Sequence, residues 1–354
     1  SFVTPYGINL DLGEDGKTWY FDMTDYVDVL KGWKRLTVEL GGQRQEDMDI
    51  KFWFIVGTPP HDVIDFKQLW RPASSSYQDL LADRNFEPRE VTIHPDAEQL
   101  KLRSVITGHG QEGEFIGRQH TFNIDGGNNE YEWFVWTECS TIPIYPQGGT
   151  WLYDRAGWCP GDPSDLYEYD ITEYVTPGQN HTLDYGITNG SGTSNYQVSQ
   201  QLVSYGPPNF TLDAAIIGIN KPNAAAAHER FNPACTDPVV IIKNTGSTTL
   251  TSLELEFYVV GGTALTQIWS GSLGFLDTAE VILEVPNFAF WQENSNRFTV
   301  NIINANGQVD EYPYNNSYTS TFESVDLLDI NLTPVTIQCY TNLQGWQTSY
   351  TLTD

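Results

Sequence analysis

Apolar and polar positions alternate in short runs along most of the chain, and helical spacing is nearly absent. The runs are rich in Val, Ile, Thr, Tyr and Trp and are separated by Gly, Pro and Asn clusters. A period of two with frequent turns is the pattern of antiparallel β-sandwiches, in which each strand turns one side inward and the other to solvent. It predicts strands at Thr18–Asp22, Arg35–Leu40 and Ile50–Val56, and again at Ala214–Ile219, Pro238–Gly246, Ser252–Val260 and Arg297–Ile303. Between His61 and Glu98 the signal weakens to a linker and a first strand of the next unit. Ser75–Asp83 reads as a short helix.

The chain also repeats itself. Asp22-Met-Thr-Asp-Tyr-Val parallels Asp170-Ile-Thr-Glu-Tyr-Val, and each copy runs through a further alternating strand to a Pro-rich stop, Gly57-Thr-Pro-Pro60 and Gly206-Pro-Pro208. Such repetition marks two units of one architecture. About a hundred residues precede the element within the second copy, against 21 in the first. The expectation is that residues 1–60 are the later part of a first sandwich, completed by an upstream segment or another chain. Residues 61–208 are then a full second sandwich, 213–323 a third unit, and 330–354 the start of a further β segment.

A chain of 354 residues with 13% aromatics has ample core material for two to four domains. Its net charge of −28 makes nucleic acid and anionic membrane surfaces poor partners. The acidity reads as a solvated extracellular surface in preference to calcium sites on carboxylate-rich loops, and the tract at Asp310-Glu311 as a solvated loop, with calcium binding as its alternative. No apolar run is long enough for a transmembrane helix. Four cysteines without a Cys-x-x-Cys pair make no zinc pattern, and six scattered histidines make no copper site, so no metal and no cofactor are expected. Whether Cys235 and Cys339 pair with each other stays open.

The most specialised residues concentrate between 99 and 161. A Gly-flanked histidine, His109, is followed by Glu112-Gly-Glu114-Phe-Ile-Gly-Arg118-Gln-His120, then by a loop dense in Pro, Gly and aromatics between Cys139 and Cys159. That loop ends in Asp154-Arg-Ala-Gly-Trp-Cys-Pro-Gly161. This run, with Cys139 upstream, Glu114 with Arg118 and His120, Phe2-Val-Thr-Pro-Tyr and Gly57-Thr58-Pro59, resembles the bacterial peptide-N-glycosidase F family over roughly residues 1–208.

The resemblance implies two tandem jelly-roll β-sandwiches and a Cys139–Cys159 disulfide, which argues for an oxidising compartment and a secreted or cell-surface protein. It implies hydrolysis of the amide joining an N-glycan to asparagine, a reaction that needs an activated water, an acid for the leaving glycosylamine and polar groups on the sugar. The family's essential glutamate falls on Glu114 and a second on Glu39; Arg155 and Trp158 match residues beside the site. The sequence also departs from the family. The leading catalytic aspartate lies upstream of Phe2 and has no counterpart here. His109 and Gly41 stand where the family has tryptophans, and Glu112 and Ile116 where it has cysteines.

Beside the family roles stand plainer ones. Glu114 in a Gly-rich bend is either catalytic or a cap on local backbone donors, and Glu39 a solvated strand residue. Arg155 holds the loop by pairing with Asp154 or Glu138, Trp158 packs beside the disulfide, and His109 is a hydrogen-bonded turn histidine or a substrate contact. Residues 213–323, through Lys243-Asn-Thr-Gly-Ser and Gln308-Val-Asp-Glu-Tyr-Pro-Tyr-Asn-Asn, resemble immunoglobulin-like modules of bacterial surface proteins. Two functions of different class follow: an amidase acting on N-glycoproteins, or an inactive surface protein that keeps the fold to bind glycans, adhere or assemble.

Overall fold

The computed structural model describes residues 18–38, 49–142, 152–188, 194–225, 228, 237–291 and 295–323. Its β-structure begins with a long strand, β1 (His61–Ser76), followed by β2 (Arg89–Thr92), β3 (Gln99–His109), β4 (Arg118–Ile124), β5 (Asn129–Val135), β6 (Tyr167–Asp170), β7 (Asn180–Thr188) and β8 (Asn195–Pro208). These form two four-stranded antiparallel sheets, ordered β1-β8-β3-β6 and β2-β7-β4-β5. That order is the double Greek key of a jelly roll. Strand β7 alternates buried His181, Leu183, Tyr185 and Ile187 with more open Thr182, Asp184 and Gly186. Its inward side packs with Trp70, Leu102, Ile106, Phe122 and Val198 of both sheets into one apolar core.

A second core lies further along, built by β9 (Ala214–Lys221), β10 (Val239–Asn244), β11 (Leu250–Val259), β12 (Leu265–Leu273), β13 (Thr278–Ile282), β14 (Arg297–Ala305) and β15 (Ser317–Thr321). A three-stranded sheet β13-β10-β9 faces a four-stranded sheet β12-β11-β14-β15 across Val240, Ile242, Leu255, Phe257, Phe298 and Val300. The all-β reading therefore holds. The Asp310-Glu311 tract is solvated only in part: Glu311 is exposed, but Asp310 is 7% exposed, drawn under the turn that leads into β15.

The predicted helix appears as α2 (Tyr77–Leu81), its start capped by Ser76 Oγ, which accepts the Asp79 N–H at 3.2 Å. It follows α1 (Val27–Leu30) and precedes α3 (Gly110–Phe115). The internal repeat holds in backbone detail. Asp22 and Asp170 each accept the N–H and hydroxyl of the threonine two residues on. The intervening Met23 and Ile171 share one conformation, with φ −107°, ψ 13° and φ −108°, ψ 13°.

The strands expected at 18–22, 35–40 and 50–56 are not formed at the described residues 18–22, 35–38 and 50–56. These stretches are irregular, and Trp53, Phe54, Ile55 and Val56 stand open to solvent. Alternation makes a strand only where a neighbour takes up its backbone hydrogen bonds, and among the described residues none does. The element after Asp22 nevertheless docks. Asp25 pairs with Arg103 at 2.7 Å and accepts the Tyr205 hydroxyl at 2.7 Å, while Tyr26 packs on Phe66 with ring centroids 4.7 Å apart. Cys235, Cys339 and residues 330–354 lie outside the described residues.

Candidate functional site

Strand β3 ends at Thr107-Gly-His109, and the chain turns through α3 into β4. Two close approaches require glycine here. A Cβ on Gly108 would sit 1.9 Å from the Gly113 carbonyl oxygen, and one on Gly157 would sit 2.0 Å from that of Ile106, where φ is also +75°. Glycines at these points let the 152–166 loop lie directly on the end of β3. Gly108 N–H donates to the Ala156 carbonyl at 2.9 Å, and Ala156 N–H to the Glu114 carbonyl at 3.0 Å. Thr137 and Arg155 exchange both backbone hydrogen bonds, at 2.7 and 3.1 Å.

The disulfide joins Cys139 to Cys159 with Cα atoms 5.3 Å apart, and both residues are buried. The bridge and the Thr137–Arg155 pair fix the loop from two sides. Asp154 Oδ1 accepts the Cys139 N–H at 3.2 Å. Arg155 meets Glu114, 41 residues away, its Nε 2.8 Å from Oε1. Its Nη1 donates to the Tyr153 carbonyl at 2.6 Å. The guanidinium is 2% exposed and lies over the rings of Phe115 and Trp158, 5.1 and 5.2 Å from their centroids.

Trp158 is buried as well. Its Nε1 donates to the Gly108 carbonyl at 2.9 Å, and its ring stacks on His109 at 5.7 Å. His109 Nε2 is 2.8 Å from Thr107 Oγ1, and burial holds its pKa below the ordinary value, with the Glu114 charge pulling weakly the other way. His109, Glu114, Arg155 and Trp158 thus form one contiguous group at the end of β3. Glu114 is its opening to solvent: the side chain is 22% exposed, and Oε2 has no hydrogen-bond partner among the described residues. Glu39 lies outside the described residues.

Sequence reasoning missed Phe115 and Tyr153, which frame the arginine; Tyr153 stays exposed and meets Phe115 edge-on at 6.4 Å. It missed Asp162 too. Burial, helped by the Asp165 charge, pushes that carboxyl up to about 6, while Thr137 Oγ1 donates to Asp165 at 2.6 Å. The only hint was its place just past Cys-Pro-Gly. No cluster of three or more His, Cys, Asp or Glu side chains suited to a metal occurs among the described residues. No helix there is long and apolar enough to cross a membrane.

Residues 76–205 match the family model for the C-terminal domain of peptide-N-glycosidase F. A curated relative, peptide-N(4)-(N-acetyl-beta-D-glucosaminyl)asparagine amidase F of Elizabethkingia miricola, is 24% identical over 218 residues, which cover 53% of this chain and 61% of the relative. The chain thus spans about three-fifths of that relative's length. A crystal structure of a peptide-N(4)-(N-acetyl-beta-D-glucosaminyl)asparagine amidase overlaps at a TM-score of 0.38 and 24% identity, covering 44% of this chain and 56% of that one. The solution structure of a cell-surface protein domain from Methanosarcina acetivorans overlaps at a TM-score of 0.25 and 16% identity, over 34% of this chain and 96% of the domain. The jelly-roll strand order is in keeping with that match: residues 76–205 are similar to the C-terminal domain of the peptide-N-glycosidase F family.

Proposed function

We propose that this protein is a secreted or surface-displayed amidase of the peptide-N-glycosidase F type, which hydrolyses the bond between an N-glycan and its asparagine. One observation carries the reading. The Glu114 carboxylate is gripped at Oε1 by a buried guanidinium, while Oε2 has no protein partner among the described residues and the side chain keeps access to solvent. A carboxylate oriented in this way suits general acid–base work on a water or on the leaving glycosylamine nitrogen. Arg155 positions it through its Nε hydrogen bond while the Tyr153 carbonyl anchors the guanidinium at Nη1, and the exposed Tyr153 ring offers a flat apolar surface beside it for a sugar. Glu39 is the second carboxylate proposed for the reaction. Trp158 and His109 contribute the floor of the site, one ring against the other. The buried Cys139–Cys159 bridge supports an oxidising, extracellular compartment. The 214–322 sandwich, three strands against four, is proposed as an immunoglobulin-like module that displays the catalytic unit at a bacterial surface.

A second reading is a surface protein that grips a glycoprotein without cleaving it. Tyr153 favours it, because an open aromatic beside a fixed carboxylate is equally a binding platform. The full-length protein incubated with a denatured N-glycoprotein separates the two. Loss of the glycan, read as a mobility shift that Glu114→Gln abolishes, supports the amidase. Retention of the glycoprotein on immobilised protein with no shift refutes hydrolysis and leaves binding.

A further inference from the structure

The second sandwich holds a polar cluster used neither by its core nor by the Glu114 site. Asp213, fully buried just before β9, accepts the Tyr312 N–H at 2.9 Å on Oδ1, and the Thr245 hydroxyl at 2.5 Å and Asn315 Nδ2 at 2.9 Å on Oδ2. Beside it runs the Asp310–Asn316 turn. Asp310 Oδ1 accepts Asn316 Nδ2 at 2.8 Å, but its Oδ2 is buried without a partner. The side-chain oxygens of Asn315 and Asn316 are buried and unpartnered too. Three oxygen acceptors are therefore orphaned within seven residues, in a fold where buried polar atoms are ordinarily satisfied.

The charges agree. Asp310 is near enough for its carboxylate to act on that of Asp213, and neither forms an ion pair among the described residues. The cluster already uses its donors on the carboxylates and is left with oxygens alone. A lone water offers two hydrogens to three acceptors and leaves the carboxylate charge uncompensated. A hard cation answers both needs. Carboxylate and amide oxygens, with no nitrogen or sulfur donor, select calcium or magnesium. An irregular set that includes two amides suits calcium, which takes six to eight oxygens in flexible geometry, over strictly octahedral magnesium. We propose that the Asp310–Asn316 turn binds Ca²⁺ through Asp310 Oδ2 and the side-chain oxygens of Asn315 and Asn316, with the Asp213 carboxylate behind them.

The turn also sits at a junction, so the ion does more than satisfy local oxygens. Tyr312 stacks on Phe210 at 5.2 Å, and its hydroxyl lies against Gly57, where a Cβ would come within 2.0 Å of it. Glu311 accepts the Thr211 and Leu212 N–H groups at 3.1 and 3.3 Å, and Asn209 reaches the Pro59 and Pro60 carbonyls. Calcium in the turn braces the point where the two Pro-rich stops of the repeat meet the second sandwich.

The test uses the whole chain stripped with a chelator. With a dissociation constant of about 0.1–1 mM, 10 mM Ca²⁺ should raise the unfolding midpoint of the second sandwich by about 5–15 °C. The same concentration of Mg²⁺ should do far less. Tb³⁺ should show luminescence sensitised by Tyr312 and Tyr314, displaced by Ca²⁺. Asp310→Asn should remove both signals, and Asn316→Ala, which deletes one of the three oxygens, should raise the half-saturating Ca²⁺ concentration about tenfold. A midpoint indifferent to Ca²⁺ together with no Tb³⁺ signal overturns the proposal, as does an equal response to Mg²⁺. If Asp310→Asn does not fold, Asn316→Ala decides alone, and unchanged Ca²⁺ affinity in that variant refutes the site.

Discussion

The Glu114–Arg155 pair is the most direct handle on the site, and a double-mutant cycle weighs it. Arg155→Met removes a guanidinium that is 2% exposed and leaves a carboxylate that is 22% exposed. Breaking a buried pair from one side costs about 3–5 kcal/mol, and the partial opening of Glu114 places the loss near about 3. Glu114→Gln keeps a neutral acceptor against the guanidinium, so its loss is smaller, about 1–2 kcal/mol. A domain of this size shifts its midpoint by about 2–4 °C per kcal/mol, giving falls of about 6–12 °C and about 2–8 °C. Arg155 also packs against Phe115 and Trp158 and donates to the Tyr153 carbonyl, but these contributions cancel in the cycle. The double variant should be less damaged than the sum by at least about 1 kcal/mol. Urea and thermal unfolding at pH 7, followed by a probe of the jelly roll, measure this. Single effects that add to within about 0.5 kcal/mol would show that the pair is not coupled and sink the idea that Arg155 holds Glu114 in place.

Two more perturbations test the frame. The Cys139–Cys159 bridge closes a separation of 20 residues, for which chain entropy alone gives about 3 kcal/mol, so replacing both by alanine should lower the jelly-roll midpoint by about 6–12 °C; an unchanged midpoint would remove the bridge from the account. His120 is fully buried, its Nδ1 2.8 Å from the Tyr185 hydroxyl, and burial pushes its pKa down to about 3. The folded state therefore stays neutral at His120 while the unfolded chain gains a proton below about pH 6.5, so stability falls as pH drops from there towards 3, by at most about 1.4 kcal/mol per unit from this residue. His120→Phe should flatten that slope, and an identical pH profile in the variant would refute the linkage.

Strand alternation was legible locally, and β7 and β11 follow it almost residue by residue. The Asp22 and Asp170 turns could also be read, because an aspartate that binds a threonine two residues on needs no distant partner. The short α2 carried its own cap. By contrast, β1 breaks its period at bulges around Trp70, where its partner β8 sets the register from more than a hundred residues away. Thr18–Asp22 and Ile50–Val56 alternate just as well and form no strand, since pattern supplies a face and only a neighbour supplies the ladder.

The site divides along the same line. The family resemblance singled out Glu114, Arg155, Trp158 and His109 in the sequence, and the fold brings these four together. Sequence assigned Arg155 to Asp154 or Glu138, the nearest acids along the chain. Tertiary structure adds a partner that no spacing along the chain could supply, bringing Glu114 across from the end of β3 to Arg155. It likewise buried Asp310, which composition alone had left in solvent. The sequence by itself determined which residues turn inward, where the chain bends and which two cysteines flank the loop, because those depend on neighbours a few positions apart. Which charge meets which, and which oxygens are left without a partner, depends on where strands far apart in the chain come to lie, and only the folded molecule decides that.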